Sequence, residues 1–191
     1  MKCAHCESKD CYTGKDCPDL KEDSEKKYAG EDLKSMKVST SIESRYYMEK
    51  TRLEELILYS EGMGYEKIGI AFCIGMSREA NMLHRILEKK FEVHSVCCKV
   101  CGIDKNELEL ERLHSREGVE AMCNPIGQAM VLNREGTELN VILGLCMGHD
   151  ILFTKHSEAP VTTLAVKDRV LAHNPLGAIY SNYYLKRRFG L

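Results

Sequence analysis

Two hydrophobic patterns alternate along this chain, and together they predict an α/β fold. Short apolar runs typical of buried strands lie at four places, residues 68–72, 92–97, 139–145 and 161–166. Between them apolar residues recur at helical spacing, as over residues 76–87 after the first strand. Strands that alternate with helices indicate a mostly parallel, Rossmann-like sheet with flanking helices.

Further elements complete the predicted organisation. Helices are expected over residues 44–61, after Asn124-Pro125, from His149 and over residues 176–189, and a short fifth strand over 170–172. Residues 21–43 are charged and polar, which is typical of a linker or an irregular segment. We therefore divide the chain into a cysteine-rich module with its linker, residues 1–43, and an α/β domain, residues 44–191.

The N-terminal segment carries four cysteines in a C-x2-C-x4-C-x5-C array, Cys3, Cys6, Cys11 and Cys17. Few apolar residues accompany them, so the segment needs a bound metal to become ordered. Only one C-x2-C turn is present, whereas zinc knuckles usually have two. The Cys17-Pro18 pair is typical of bacterial ferredoxins, although the spacing differs from theirs. Zinc and an iron–sulfur cluster both remain open.

Cysteines also follow the predicted strands. Cys73 follows the first, Cys98 the second and Cys146 the third, while Cys123 precedes a helix start; Cys101 forms a C-x2-C pair with Cys98. A lone cysteine at a strand end is commonly a small buried hydrophobe, but its recurrence favours a shared function. Parallel strands end at one edge of a sheet, where α/β proteins bind ligands, so these thiols are expected to form one site.

Two neighbours add detail to this predicted site. Adjacent Cys97 and Cys98 would face opposite ways in a strand, so only one of them is expected to enter it. His149 and Asp150 lie within one turn of Cys146 and are candidates for proton transfer.

Charge and composition narrow the function classes. The net charge is −2, and no apolar run approaches the roughly 20 residues of a membrane span, so neither nucleic acid nor membrane is an expected partner. The N-terminus lacks the apolar segment of a signal peptide, which predicts a cytoplasmic protein with reduced thiols. Ten cysteines in such a compartment indicate metal or cluster ligation first and redox chemistry second.

Several motifs resemble a known family over nearly the whole chain. Besides the N-terminal array they are AFCIGMSREA, KVCG, CNPIGQA, GLCMGHD and APVTTLAVKDRVLAHNP. They resemble the cysteine-rich, uncharacterised metal-binding proteins of anaerobic bacteria and archaea that share domain of unknown function 1847. The resemblance implies metal binding and an anaerobic setting but no established reaction.

Three functions follow as expectations. The first is an enzyme with a [4Fe–4S] cluster, a lyase or desulfidase whose open iron binds a small sulfur-containing substrate. The second is a metal carrier, sensor or electron-transfer module that meets a small ligand or a redox partner. The third is a dithiol reductase using Cys98 and Cys101. A cluster held by three cysteines would favour the enzyme, and full ligation by four would favour electron transfer or structure.

Overall fold

The computed structural model describes residues 1–113 and 117–191, which divide into two compact units, Met1–Glu49 and Lys50–Leu191. The first unit carries its cysteines on an open segment with two short 3-10 turns, Cys3–His5 and Asp10–Thr13. Two helices follow, α1 (Lys21–Glu25) and α2 (Gly30–Tyr46).

The prediction of an irregular segment over residues 21–43 is wrong, because helices occupy much of it, while the alternative of a linker stays a prediction. None of the 17 described residues of α2 is buried, so this helix lacks the apolar stripe by which a packed helix is recognised. Its charges are suited to a helix instead. Glu31 and Asp32 lie in its first turn, near the positive end of the helix dipole.

The second unit is built on a sheet of four parallel strands. In chain order they are β1 (Lys67–Phe72), β2 (Glu92–Cys97), β3 (Leu139–Leu143) and β4 (Val161–Ala165). They lie side by side in the order β2-β1-β3-β4. The sheet confirms the predicted α/β class. Since β2 lies on one side of β1 and β3 on the other, the carboxyl edge between β1 and β3 is the switch point at which such sheets bind ligands.

Helices connect and follow these strands. They are α3 (Arg52–Met63), α4 (Ser77–Leu87), α5 (Pro125–Glu135), α6 (His149–His156), α7 (Leu176–Tyr180) and α8 (Asn182–Arg188). Among the described residues no helix is both long enough and apolar enough to cross a bilayer.

Each face of the sheet has its own hydrophobic core. On one face Ile70 and Val141 pack in a cluster with Leu56 of α3 and Leu83 of α4. The opposite face forms a second cluster, with residues from the sheet, α5 and α6: Ala71, Ile142, Ala129, Leu132 and Phe153. This alternation follows from the two-residue period of a strand, and it also puts Cys73 and Cys98 in the second cluster.

Two predicted helices are interrupted, and one predicted strand is replaced by a turn. The helix expected over 44–61 is interrupted, since α2 ends at Tyr46 and α3 begins after Thr51, which forms a capping box with Glu54. The strand expected over 170–172 is wrong, because the backbone turns there and Ala172 has a φ of 50°. The helical tail is divided at Ser181, whose backbone is extended.

A glycine lets the two central strands pack around a buried polar group. Gly69 in β1 lies beside Asn140 of β3, which is fully buried. Asn140 Oδ1 accepts a hydrogen bond from Thr137 (2.8 Å), and its Nδ2 donates one to Ser157 (2.8 Å). A side chain at Gly69 would overlap Asn140 Oδ1 and stand 2.9 Å from Leu132 Cδ1.

We therefore expect Gly69→Ala to lower the free energy of unfolding by about 2–3 kcal/mol, through overpacking and loss of the buried hydrogen bonds. Gly75→Ala is the matched control, since its new methyl group would meet the flexible end of Lys167, at 3.3 Å, and Cys73 Sγ at an ordinary contact distance of 3.9 Å. Its expected cost is below about 1 kcal/mol. Urea unfolding followed by circular dichroism measures both values, and equal losses would contradict this account.

Candidate functional site

Four cysteines lie where the strands of the second unit end. Cys73 directly follows β1, Cys98 directly follows β2, and Cys146 lies three residues after β3. Cys123 precedes Asn124, the residue that caps α5. Cys73 and Cys98 are buried, while Cys123 and Cys146 are half-buried, so the group joins the core to the surface at the carboxyl edge.

Main-chain hydrogen bonds hold these segments together. The backbone N–H of Cys73 donates to Leu143 O (3.2 Å), which ties the end of β1 to β3. The N–H of Cys98 donates to Phe72 O (2.8 Å), and Cys98 O accepts from the N–H of Asn124 (2.7 Å). The start of α5, and with it Cys123, is thereby fixed against the ends of β1 and β2.

The first turn of α5 adds side-chain support. Asn124 Oδ1 accepts the N–H of Gly127 (2.8 Å), and Pro125 occupies the first helical position, as the sequence predicts. Gln128, one turn further, is fully buried and donates from Nε2 to Val96 O (2.7 Å) and Phe72 O (3.2 Å). It therefore clamps the last residues of β1 and β2 to each other.

Cys98 and Cys123 form the closest thiol pair of the site. Their Sγ atoms lie 3.8 Å apart, and the backbone N–H of Ile74 donates to Cys98 Sγ (3.3 Å). At this separation two thiolates would repel each other, so the pair loses its two protons in separate, coupled steps.

The surroundings decide which thiol keeps the proton. The hydrogen bond to Cys123 and its own burial raise the pKa of Cys98. The hydrogen bond with Cys98, aided by the positive charge of Lys99, lowers the pKa of Cys123 to about 5. The pair therefore favours a thiolate at Cys123 and a protonated thiol at Cys98, the usual arrangement of a reactive cysteine with a partner.

A guanidinium group lies on the other side of the cluster. Arg169 Nη2 donates to Cys146 Sγ (3.0 Å), and this bond raises the pKa of Arg169. Arg169 also interacts electrostatically with Cys73 and Cys123, so this one cation attracts negative charge on three of the four thiols.

The loop after β4 positions this arginine. Asp168 Oδ1 accepts the backbone N–H groups of Val170 (2.9 Å) and Leu171 (2.8 Å), which bends the chain around Arg169. His173 Nδ1 accepts the N–H of Asp168 (3.1 Å) and closes the turn. Arg169 was not predicted from the sequence. The available signal was a pair of basic residues, Lys167 and Arg169, just after a predicted parallel strand.

The remaining candidate residues take different places. Cys101 is exposed in the 3-10 turn Val100–Gly102 with a φ of 71°, and its sulfur has no hydrogen bond among the described residues. The N–H of His149 donates to Cys146 O (2.9 Å), and its imidazole is close enough to act on Cys123. Asp150 Oδ1 accepts the N–H of Ile151 (2.8 Å) in the first turn of α6.

The N-terminal cysteines Cys3, Cys6, Cys11 and Cys17 are all exposed. A backbone hydrogen bond from Lys9 lowers the pKa of Cys6. Within residues 1–113 and 117–191, no three His, Cys, Asp or Glu side chains are grouped so that they could hold a metal ion as they stand. Metal binding by this segment therefore stays a prediction.

The fold and the thiols define an α/β protein with a cysteine cluster at the switch point of a parallel sheet. The chain matches the model of a family described as "Protein of unknown function (DUF1847)" over residues 11–164, and it belongs to that family, as its motifs predict. An uncharacterized protein of Methanocaldococcus jannaschii is 59% identical over 189 residues, which cover 98% of this chain and 97% of the relative. No solved structure matches the chain.

The charge state of Cys123 can be measured by alkylation. We expect the rate of its reaction with iodoacetamide to fall to half only near pH 5, whereas an ordinary thiol loses half of its rate near pH 8.5. Cys98→Ala should move the midpoint upward because the hydrogen bond from Cys98 is removed. Peptide mass spectrometry on the reduced, metal-free protein gives the rate at each cysteine.

Cys97→Ala is the control for this experiment, because it removes a neighbouring thiol that lies outside the pair. It should leave the midpoint of Cys123 near pH 5. A midpoint above pH 8 in the unaltered protein would contradict the assignment of the thiolate.

Proposed function

We propose that the carboxyl-edge thiols bind a thiophilic metal, either zinc or the metal of an iron–sulfur cluster. The observation that carries the proposal is the 3.8 Å separation of the Cys98 and Cys123 sulfur atoms. Two thiolates on one tetrahedral metal, each about 2.3 Å from it, stand about 3.8 Å apart. The pair therefore fits a single metal ion without a change in this distance.

The other two thiols could complete the ligand set. Cys73 and Cys146 lie at the same edge, and their side chains would have to reorient to join the pair, since Cys146 is bonded to Arg169. A donor set made only of thiols suits zinc and iron–sulfur clusters better than oxygen-preferring metals. Arg169, Lys99 and His149 would offset the negative charge of the thiolates.

The pair also bears on the kind of cluster. In a [4Fe–4S] cluster each cysteine binds a different iron, whereas in a [2Fe–2S] cluster two cysteines share one iron. The short distance between Cys98 and Cys123 favours one shared metal, hence zinc or [2Fe–2S], over the [4Fe–4S] cluster expected from the sequence. The broader proposal is that this is a metal-binding protein. It includes both an enzyme and a carrier, sensor or electron-transfer module.

As an enzyme, the protein would act on a small sulfur-containing substrate, as a lyase or desulfidase. A bound metal would supply Lewis acidity towards sulfur or oxygen. The residues of the chain would transfer protons, with His149, which interacts electrostatically with Cys123, and Asp150 in the same helical turn as the candidates. The capped start of α5 would hold Cys123 in place.

Dithiol exchange is a second candidate, and the shared proton of Cys98 and Cys123 favours it. The Cys123 thiolate would attack one sulfur of a disulfide and release the first thiolate. Cys98, giving up its proton, would then attack Cys123 and release the second thiol, leaving a Cys98–Cys123 disulfide that an external dithiol must reduce. The 3.8 Å separation of their sulfur atoms supports this role for Cys98 with Cys123, in place of Cys98 with Cys101.

Metal content per chain separates the two proposed metal sites. After anaerobic reconstitution with iron and sulfide, or with zinc, the variant Cys98→Ser/Cys123→Ser should lose the edge metal and keep any metal at the N-terminal array. Replacing Cys3, Cys6, Cys11 and Cys17 by Ser should have the opposite effect. Zinc leaves the protein colourless and an iron–sulfur cluster colours it.

Cys97→Ser is the control, because Cys97 is next to Cys98 but outside the pair. Equal metal content in the unaltered protein and in Cys98→Ser/Cys123→Ser would overturn the metal proposal at this edge. Stoichiometric reduction of an aromatic disulfide by the metal-free protein, lost in Cys123→Ser, would then support dithiol exchange.

A further inference from the structure

We propose that Lys167 and Arg169 form an anion-binding subsite beside the thiols, which takes the carboxylate of a small organic acid. A carboxylate is thus the ligand class of the proposed site. The proposal rests on the proposed function only for the reaction that the thiols then carry out on this ligand. It needs no bound metal, and nothing in the sequence analysis singled out either residue.

The first step of the argument is that Lys167 lies beside the thiols at Gly75, in the turn between β1 and α4. The position that a side chain on Gly75 would occupy lies 3.3 Å from Lys167 Nζ and 3.9 Å from Cys73 Sγ. The ammonium group of Lys167 and the thiol of Cys73 therefore lie on the same side of this turn, and the absence of a side chain at Gly75 leaves the ammonium group uncrowded there.

The second step is the unused donor capacity of Arg169. Its guanidinium has five N–H donors, and the structure shows one hydrogen bond, from Nη2 to Cys146 Sγ. The planar group is suited to binding a carboxylate through two parallel hydrogen bonds. Arg169 is also exposed, so a ligand can reach it.

The third step concerns counter-ions. Elsewhere in this unit basic residues pair with carboxylates, as Lys105 and Arg112 do with Glu120. In the described part of the chain, neither Lys167 nor Arg169 forms an ion pair with a carboxylate. Asp168 lies between them, but its Oδ1 accepts two backbone N–H groups.

The neighbouring charges support the same conclusion. Lys99 is close to Cys123 and donates to Ala121 O, and His149 also acts on Cys123. Three helices, α4, α5 and α6, begin at this edge and direct the positive ends of their dipoles towards it. Asp150 is the carboxylate at the start of α6, and its Oδ1 accepts a backbone N–H. Glu79, in the first turn of α4, is a further carboxylate near this edge, and it forms no ion pair with Lys167 or Arg169 among the described residues.

Two alkylating reagents that differ only in charge test the subsite. Iodoacetate carries a carboxylate next to its reactive carbon, and iodoacetamide carries a neutral amide of nearly the same size. The measured quantity is the ratio of their rates at Cys123, by peptide mass spectrometry on the reduced, metal-free, full-length protein. Dividing by the same ratio for 2-mercaptoethanol removes the intrinsic difference between the reagents.

We expect the normalised ratio in the unaltered protein to exceed that in Lys167→Gln/Arg169→Gln by about tenfold, and to fall as salt is added. Lys89→Gln is the matched control. It removes one positive charge just after α4, at the opposite edge of the sheet, and should leave the ratio unchanged. The iodoacetamide rate shows in each variant that Cys123 is still folded into the site and accessible.

A ratio that is equal in the unaltered protein and the double variant, or a fall in the single-charge control Lys89→Gln of half or more of that in the double variant, would overturn the proposal. Metal content, measured separately on the same proteins, tests the proposed function. A high normalised ratio in a protein that binds no metal would support the anion subsite and refute the metal proposal. Bound metal together with a ratio equal to that of the double variant would support the metal proposal and refute the anion subsite.

Discussion

The position of β1 between β2 and β3 is the constraint on which the rest of the second unit depends. Parallel pairing on both sides brings the ends of three strands to one edge, and Cys73, Cys98 and Cys146 come with them. Gly69 lets β1 lie against the buried amide of Asn140, and Gln128 holds the other ends of β1 and β2. A change in this register would separate the thiols.

The same edge concentrates charges of opposite sign. The hydrogen bond of the Cys98–Cys123 pair lowers the pKa of Cys123, which favours a thiolate at the switch point without any bound ligand. Arg169 and Lys99 lower the energy of that thiolate, and Arg169 and Lys167 keep donors free for a further anion. The metal binding, dithiol exchange and anion binding that we propose would be different uses of one electrostatic arrangement.

Much of this architecture could be predicted from the sequence, because strand and helix periods are local properties. The four strands, the parallel sheet and the capped start of α5 at Asn124 and Pro125 follow from them. The helix α2 could not be recognised, because it buries no residue and so carries no apolar stripe. The break before Thr51 was missed because it depends on a capping box inside a continuous helical pattern.

The site was predictable only in part. Cysteines at the ends of parallel strands can be predicted to lie at one edge of the sheet. The pairing of Cys98 with Cys123 could not, because it depends on how the chain returns from β2 to α5. The role of Arg169 depends on the turn that Asp168 and His173 make, where a strand was expected.

Diffraction at the absorption edge of the bound metal tests the central claim most directly. Crystals of the anaerobically reconstituted protein should show an anomalous peak bonded to both Cys98 Sγ and Cys123 Sγ, about 2.3 Å from each. Anomalous peaks bonded only to N-terminal cysteines, with no metal at Cys98 and Cys123, would contradict the account.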